Sequence, residues 1–148
     1  MMPYSQVFEQ SILISANSPV VERCFTDLEL MHQWLNPILR CEPIDIWDTN
    51  VGGRCRFVIQ LPLFQPTLKT VVLERETGLI VWGFEGYFKG CDRWECIPQA
   101  AGTTLLNRFE FEIPNPLIKF GFNLLAAALT KADMEAQLKR LKQLAERI

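Results

Sequence analysis

The sequence has little of what metal and disulfide chemistry requires. Its 148 residues include one histidine, His32, and five cysteines that form no C-x-x-C pair. We expect no metal site, because zinc needs a repeated spacing of histidine or cysteine ligands. The odd cysteine count fits reduced thiols better than a disulfide framework. His32 also lacks a serine or cysteine motif beside it, so a nucleophilic triad has little support.

An excess of charge of one sign is also missing. There are 15 Lys and Arg residues against 17 Asp and Glu, a formal net charge of −2. Neutralising nucleic-acid phosphates needs a basic face, so we expect no nucleic-acid partner. Polybasic docking to membranes is disfavoured for the same reason. The sequence has no glycine-rich phosphate-binding loop, and we expect no cofactor.

Long hydrophobic runs are absent as well. The segment MMPYSQVFEQ has neither a basic nor an apolar region, so the sequence predicts a cytoplasmic protein without a secretory signal. The most apolar stretch, Leu117 to Leu129, is too short to cross a bilayer, which takes about 20 residues. With 49% hydrophobic and 22% charged residues, the composition predicts a single globular domain over residues 1–148.

The N-terminal part predicts a strand followed by two short helices. Residues Val7 to Ile14 alternate between two faces, which is the pattern of a half-buried strand. Ser18 before Pro19 predicts an N-cap and a proline in the first helical turn. Thr26 and Glu29 have the spacing of a capping box, which predicts the start of a second helix.

The middle of the chain predicts six further strands joined by turns. These segments lie around Ile44–Ile46, 55–61, 68–76, 79–84, 87–97 and 105–113. Short turns make such a meander antiparallel. Arg93 on one strand and Arg108 on the next, each with a glutamate two residues on, predict a charged outer face with cross-strand ion pairs. Asp92 and Asn107 then lie among aromatic residues on the inner face.

The end of the chain predicts one long helix. Asn115-Pro116 repeats the signal of an N-cap with a first-turn proline. A helix from there to the C-terminus would have roughly 30 residues and a length of about 45 Å. Its second half is amphipathic, with an apolar stripe formed by Met134, Leu138, Leu141, Ala145 and Ile148.

Short sequence pieces in this order resemble a known superfamily. They are Ser18-Pro19-Val20-Val21, Asp27 with Trp34 and Asn36-Pro37, Val51-Gly52-Gly53, Leu79 to Gly83, Trp94 to Pro98, Gly102-Thr103 and Asn107 to Phe111. Over nearly its whole length the chain resembles the START-like, polyketide cyclase/dehydrase and lipid-transport (SRPBCC) superfamily. The resemblance implies an α+β helix-grip fold, in which a seven-stranded curved antiparallel sheet wraps around a long C-terminal helix, with two short helices after the first strand. It also implies a hydrophobic cavity between sheet and helix.

The runner-up fold is a cone-shaped α+β domain of the nuclear-transport-factor type, whose helix comes first rather than last. One departure from the favoured superfamily concerns catalysis. Many relatives carry histidine or glutamate on the inner face of the last strands, where this sequence has Asp92, Asn107 and Phe109. An acid–base function inherited from such relatives is therefore in doubt.

Asp92 is the sharpest single candidate for chemistry. It is flanked on its face by Gly90 and Trp94, so we expect a desolvated carboxyl with a raised pKa. A neutral carboxyl could donate to a ligand carbonyl or act as a general acid. The alternative is an aspartate bonded to backbone amides or to the hydroxyl of Thr103 or Thr104.

The candidate ligand-binding residues share an expected place on the inner face of the sheet or on the helices against it. They are Trp34, Phe57, Ile59, Trp82, Asp92, Trp94, Asn107, Phe109, Phe111, Phe120 and Leu124. For the aromatic residues the alternative is plain core packing, since they bury large areas whatever the function. For Asn107 the alternative to anchoring a ligand is a structural hydrogen bond.

Three functions remain open, and the sequence leans toward a non-catalytic one. The first is binding or carrying a hydrophobic small molecule, such as a lipid, isoprenoid, quinone, pigment or polyketide-like compound. The second is a cyclase or dehydratase with Asp92 as the acid, although no inward base accompanies it. The third is a protein-interaction module that uses the apolar helix surface.

Exposed aromatic residues are expected near the apolar part of the C-terminal helix. Phe120 and Phe122 lie about 200° apart on a helix, so they cannot both face inward. One of them, or Phe64 in the loop Pro62–Pro66, would then be exposed as a lid, a transient membrane contact or a dimer contact. The expected oligomeric state is a monomer or a weak homodimer.

Overall fold

The computed structural model of the chain describes residues 6–63, 65–121 and 127–148. In chain order its elements are β1 (Gln6–Ile14), α1 (Ser18–Cys24), α2 (Leu28–Trp34), β2 (Leu39–Pro43), β3 (Arg54–Ile59), β4 (Thr67–Glu76), β5 (Leu79–Glu85), β6 (Lys89–Gln99), β7 (Gly102–Glu112), α3 (Pro116–Gly121) and α4 (Ala127–Arg147). No helix in the described part of the chain combines the length and apolarity that crossing a membrane requires.

The seven strands form one antiparallel, curved sheet in the order β1-β7-β6-β5-β4-β3-β2. Strands β2 to β7 pair with their neighbours in sequence, and β1 closes the arrangement by pairing with β7 from Gln6↔Phe111 to Ile14↔Thr103. The predicted fold is therefore confirmed: a seven-stranded antiparallel sheet, two short helices after the first strand, and a long C-terminal helix.

The caps of the two short helices differ from the prediction by one residue each. The N-cap of α1 is Asn17, not Ser18, because its Oδ1 accepts from the Val20 N–H. The N-cap of α2 is Asp27, whose Oδ1 accepts from the Leu30 N–H. The capping box at Thr26 was wrong for a physical reason: the Thr26 hydroxyl donates to the Glu22 carbonyl of the preceding helix instead.

The strand predicted around Ile44–Ile46 was also misplaced. The strand that pairs with β3 is β2, and it ends at Pro43 opposite Cys55. Asp45 has a φ of 67°, which extended strands do not adopt, and Ile46 is 76% exposed. Alternation of two isoleucines around an aspartate was too short a pattern to separate a strand from an irregular loop.

The outer face of the sheet is charged as predicted, but its ion pairs are arranged differently. Arg93 and Arg108 are directly opposite each other in the β6–β7 register. Each therefore turns to the glutamate two residues on along its own strand. Arg108 also reaches across to Glu9 on β1, at 2.7 Å. These pairs are partly exposed and contribute little to stability.

The C-terminal region contains two described helices. Asn115 caps α3 as predicted, since its Oδ1 accepts from the N–H groups of residues 117 and 118. The prediction of one continuous helix cannot be followed through residues 122–126, which lie outside the described residues. Helix α4 packs against β1, α1 and α2. Its buried residues are Met134, Leu138, Leu141, Leu144 and Ala145, while the predicted stripe member Ile148 lies beyond the helix and is exposed.

Candidate functional site

A cavity of about 200 Å³ lies between the inner face of the sheet and helices α2 and α4. Seven aromatic residues line it: three tryptophans, at positions 34, 82 and 94, and four phenylalanines, at 57, 84, 88 and 109. The inward positions of the strands supply most of these side chains, because alternate residues of a strand share one face. The cavity is therefore a consequence of the strand register rather than of a single loop.

The cavity separates the core into two clusters. The larger cluster contains Trp34, Trp82 and Trp94 and is completed by α1, α2 and the buried face of α4. The smaller cluster is built on Phe84, Phe111 and Ile113, with rings at positions 8, 88 and 109 packed against it. Residues of both clusters line the cavity, so a molecule held there would touch both.

Asp92 is the polar centre of the cavity wall. Its Oδ1 accepts from Asn107 Nδ2 and its Oδ2 accepts from Trp94 Nε1, each at 2.8 Å. The register explains the grouping, because Asn107 is directly opposite Trp94 and diagonal to Asp92 on the neighbouring strand. The Trp94 ring is fixed in turn by stacking on Phe25 and by a contact with the Trp34 ring, at centroid distances of 6.1 and 5.1 Å.

Asn107 is held in one orientation by two acceptors. Its Nδ2 donates both to Asp92 and to the backbone carbonyl of Arg93, at 3.0 Å. Because both neighbours only accept hydrogen bonds, the amide nitrogen must face them and the amide oxygen must point elsewhere.

The Asp92 side chain is half-buried, and its carboxyl lies among the protein atoms of the cavity wall. Desolvation raises its pKa from 3.8 to about 6, and the hydrogen bonds from Asn107 and Trp94 oppose that rise without cancelling it. The expected direction of the shift was right. The alternative, a bond to the Thr103 hydroxyl, is not found, because Thr103 donates to the Ala16 carbonyl and contacts the Ser18 hydroxyl.

A second polar group lies where α2 meets α4 at the edge of the cavity. Asn36, just beyond α2, donates from Nδ2 to Asp133 at 2.8 Å and from its backbone N–H to Gln137 at 3.3 Å. Arg140, one turn further along α4, donates from Nε to the Trp34 carbonyl at 2.8 Å. These bonds hold the C-terminal end of α2 against α4.

The structure brings most of the predicted site residues together. The cavity wall includes Trp34, Phe57, Ile59, Trp82, Asp92, Trp94, Asn107 and Phe109. Phe111 is not in the described wall; it is fully buried behind it, with its ring 4.6 Å from that of Phe109. Phe120 on α3 is 64% exposed and is not in the described wall either. Leu124, Phe122 and Phe64 lie outside the described residues.

Sequence reasoning missed several wall residues, and for different reasons. Leu68, Thr70 and Phe84 lie on inward strand positions and could have been found by extending the alternation of β4 and β5. Asp133 and Gln137 could not, because their place in the wall depends on how α4 docks against α2. No periodicity in the sequence reports that docking.

Comparison with known proteins identifies the family of this chain. The family model for polyketide cyclase / dehydrase and lipid transport matches residues 5–146. The chain belongs to this family. Membership is consistent with binding a hydrophobic ligand. No curated protein matches the chain.

Solved structures share the family's fold at low sequence identity. TTHA0849 from Thermus thermophilus is 19% identical, with a TM-score of 0.76 over 95% of this chain and 97% of that one. Protein CV1439 from Chromobacterium violaceum is 18% identical, with a TM-score of 0.73 over 96% and 98%. The Zhui aromatase/cyclase from Streptomyces sp. R1128 is 13% identical, with a TM-score of 0.77 over 96% and 94%.

Proposed function

We propose that this chain, acting as a single domain, binds or carries a hydrophobic small molecule in the cavity between the sheet, α2 and α4. The observation that carries the proposal is the cavity itself, whose wall is aromatic and aliphatic except for a few polar groups. Protein interiors normally pack without voids of this size. Small-molecule sites have this composition, in which apolar walls supply affinity and a few polar groups fix orientation.

The size of the cavity favours a compact ligand. A volume of about 200 Å³ equals that of roughly seven molecules of liquid water. A single or fused ring system with short substituents fits such a space better than a lipid with two long chains.

The free thiols of the five cysteines support a cytoplasmic location for this binding.

The direct test is native mass spectrometry of the protein purified from its own host, followed by organic extraction. We expect a stoichiometric apolar adduct of low mass. Ile59→Trp, which adds bulk to the cavity wall, should remove the adduct. Ile46→Trp is the matched control, because Ile46 is exposed on a loop and the same substitution there should leave the adduct in place.

Two results would contradict the proposal. One is an adduct that survives Ile59→Trp unchanged, because the ligand would then occupy another place. The other is an empty protein under conditions shown to preserve a weak apolar complex of a reference protein. Far-ultraviolet circular dichroism of both variants separates loss of binding from loss of folding.

A second candidate function is catalysis of the cyclase or dehydratase kind. The observation in its favour is Asp92, a buried carboxyl whose pKa of about 6 suits a general acid near neutral pH. A structural neighbour is named an aromatase/cyclase. Asp92→Asn distinguishes the two functions: retained binding of the extracted compound with loss of its conversion favours the enzyme, and absence of any conversion by the wild-type protein favours the carrier.

A third candidate, an interaction surface, rests on exposed apolar residues. Leu117 and Phe120 on α3 and Leu129 on α4 are 79%, 64% and 71% exposed. Such residues suit a transient membrane contact or a weak homodimer. Sedimentation of the protein alone and with phosphatidylcholine vesicles tests both, and Phe120→Ser should abolish whichever association is found. Ile46→Ser is the control for a single exposed apolar residue elsewhere, because Ile46 is 76% exposed in a different loop.

A further inference from the structure

We propose that the molecule held in this cavity is a compact organic cation: a protonated or quaternary amine carried on an apolar body. The inference rests on the proposed function and names the chemical class of its ligand. It is carried by three features of the cavity: the sign of its charges, the aromatic character of its wall, and the hydrogen-bonding capacity that its polar centre leaves open.

The charges of the cavity wall have one sign. Among the described wall residues Asp92 and Asp133 are the ionisable ones, and no lysine, arginine or histidine accompanies them. Neither carboxylate forms an ion pair with a described residue; Asp92 is bonded to Asn107 and Trp94, and Asp133 to Asn36. A carboxylate that has lost much of its water and has no cation beside it is costly to the protein. A cationic ligand supplies the missing charge.

The rest of the wall attracts the same kind of ligand. Trp34, Trp82 and Trp94 line the cavity together with four phenylalanines. The faces of aromatic rings carry negative potential and attract ammonium groups, tryptophan most strongly. A wall of this kind accommodates both the apolar body of such a ligand and its charged group.

The polar centre offers acceptors rather than donors. Trp94 Nε1 is used by Asp92, and Asn107 Nδ2 is used by Asp92 and the Arg93 carbonyl. What remains is the spare acceptor capacity of the Asp92 carboxylate, which has about four lone-pair sites and accepts two of these bonds. A ketone or quinone would bring another acceptor to this place, whereas an ammonium group brings donors or positive charge.

The ionisation of Asp92 sets the pH range of this recognition. The cavity wall that contains Asp92 also contains Trp82 and Phe84 from β5, Asn107 and Phe109 from β7, Met31 and Trp34 from α2, and Met134 and Asp133 from α4. Asp133 is the other titratable group among them. Because burial raises the pKa of Asp92 to about 6, the carboxylate is mostly ionised at pH 7 and becomes neutral as the pH falls below 6.

The test compares ligands of the same shape and different charge. Dissociation constants are measured by tryptophan fluorescence at a pH of about 7.5, at which Asp92 is ionised. The ligands are benzyltrimethylammonium, its neutral isostere neopentylbenzene, and phenylacetate. We expect the cation to bind at least about tenfold more tightly than the neutral isostere, and phenylacetate not to bind. N,N-dimethylbenzylamine, a cation with an N–H donor, should bind at least as well as the quaternary cation.

Two variants place the effect at Asp92. Asp92→Asn should weaken binding of benzyltrimethylammonium by about thirtyfold or more and leave neopentylbenzene nearly unaffected. Glu76→Gln removes the same charge from an exposed position at the end of β4 and should change neither constant. If Asp92→Asn is poorly folded, the wild-type protein still decides: affinity for the quaternary cation, which does not titrate, should fall as the pH is lowered from 7 through 6.

The outcomes separate this inference from the proposed function. Tight binding of neopentylbenzene with equal or weaker binding of the cation overturns the cation inference and leaves the apolar carrier in place. Binding of phenylacetate in preference to the cation overturns it as well. If none of the probes binds, both proposals fail for ligands of this size.

Discussion

The Asp92 side chain shows burial and hydrogen bonding acting in opposite directions on one group. Its two hydrogen bonds, from Asn107 and Trp94, favour the ionised carboxylate, while loss of water favours the neutral acid. Burial is the larger effect, so the pKa rises to about 6. The native state therefore holds a proton between pH 3.8 and about 6 that the unfolded chain has already released.

Asp92 should make the free energy of unfolding depend measurably on pH. Because the folded pKa is raised, the stability that this group contributes is present below pH 3.8 and is lost as the pH rises toward 6. The free energy of unfolding of the wild type, minus that of Asp92→Asn, should fall by about 3 kcal/mol across this window and stay constant above it. Urea unfolding of both proteins at a series of pH values measures the difference.

Taking the difference between the unfolding free energies of the wild type and Asp92→Asn cancels the contributions of the other titrating groups, which both proteins share. Glu76→Gln serves as the control, since it removes a carboxyl from an exposed position outside the cavity wall. A flat curve for Asp92→Asn would mean that Asp92 is ionised in the folded protein at pH 4, and the account of its burial would be wrong.

The sequence predicted the position of Asp92 but not its hydrogen-bond partners. Alternation on β6 placed it on the inner face beside Trp94, and that was enough to expect desolvation. Its bond to Asn107 depends on the register between β6 and β7, which a run of alternating residues does not specify. If β7 were shifted by two residues along β6, every side chain would stay on the same face of the sheet, but every cross-strand polar pair would change.

The sequence placed the N-cap of helix α2 one residue too early, at Thr26 instead of Asp27. Asp27 caps it by accepting from the Leu30 N–H at 3.1 Å. Asp27→Ala should therefore lower the free energy of unfolding by about 1 kcal/mol, and Asp27→Asn, which keeps an acceptor, by a few tenths at most. Chemical denaturation of the three proteins measures this. An equal loss from Glu29→Ala would instead support the capping box.

Gly90 on β6 lets two strands approach more closely than any side chain would permit. A Cβ at this position would overlap the carbonyl oxygen of Glu110 and crowd the Cα of Phe111 on β7. Gly90→Ala should destabilise the protein by about 1–3 kcal/mol, because backbone must move to make room. Lys89→Ala, at the exposed neighbouring position, should stay within about 0.5 kcal/mol of the wild type. Thermal unfolding compares them, and similar losses would contradict the close approach.

Elements with long alternating patterns were predicted well, and short patterns were not. β7 and β6, with 11 residues each, were found with the correct inner faces. β2 has five residues and lies at the edge of the sheet, and the predicted strand was wrongly placed in the loop that follows it. A short edge strand has one partner and few buried residues, so its sequence carries little periodic signal.

At the scale of the whole molecule, the cavity divides one core into two clusters. Trp34 and Trp94 belong to the cluster that α2 and α4 complete, and Phe84 and Phe109 to the one at the other side of the cavity. Family resemblance implied a cavity, but residue types alone did not separate a cavity from close packing. The difference lies in how far α4 stands from the sheet, which is set by tertiary packing and has no counterpart in local sequence.

A ligand that touches both clusters should stabilise the fold as one unit. At a free concentration one hundred times its dissociation constant, a ligand that binds only the native state adds about 2.7 kcal/mol. For a chain of this length that corresponds to a rise in Tm of roughly 5–10 °C. We expect benzyltrimethylammonium to raise the Tm by the same amount whether unfolding is followed by tryptophan fluorescence, which reports the larger cluster, or by far-ultraviolet circular dichroism, which reports the whole sheet. Ile59→Trp should remove the shift and Ile46→Trp should retain it. A shift seen by fluorescence alone would mean that the ligand stabilises only the tryptophan side, and that the two clusters unfold separately.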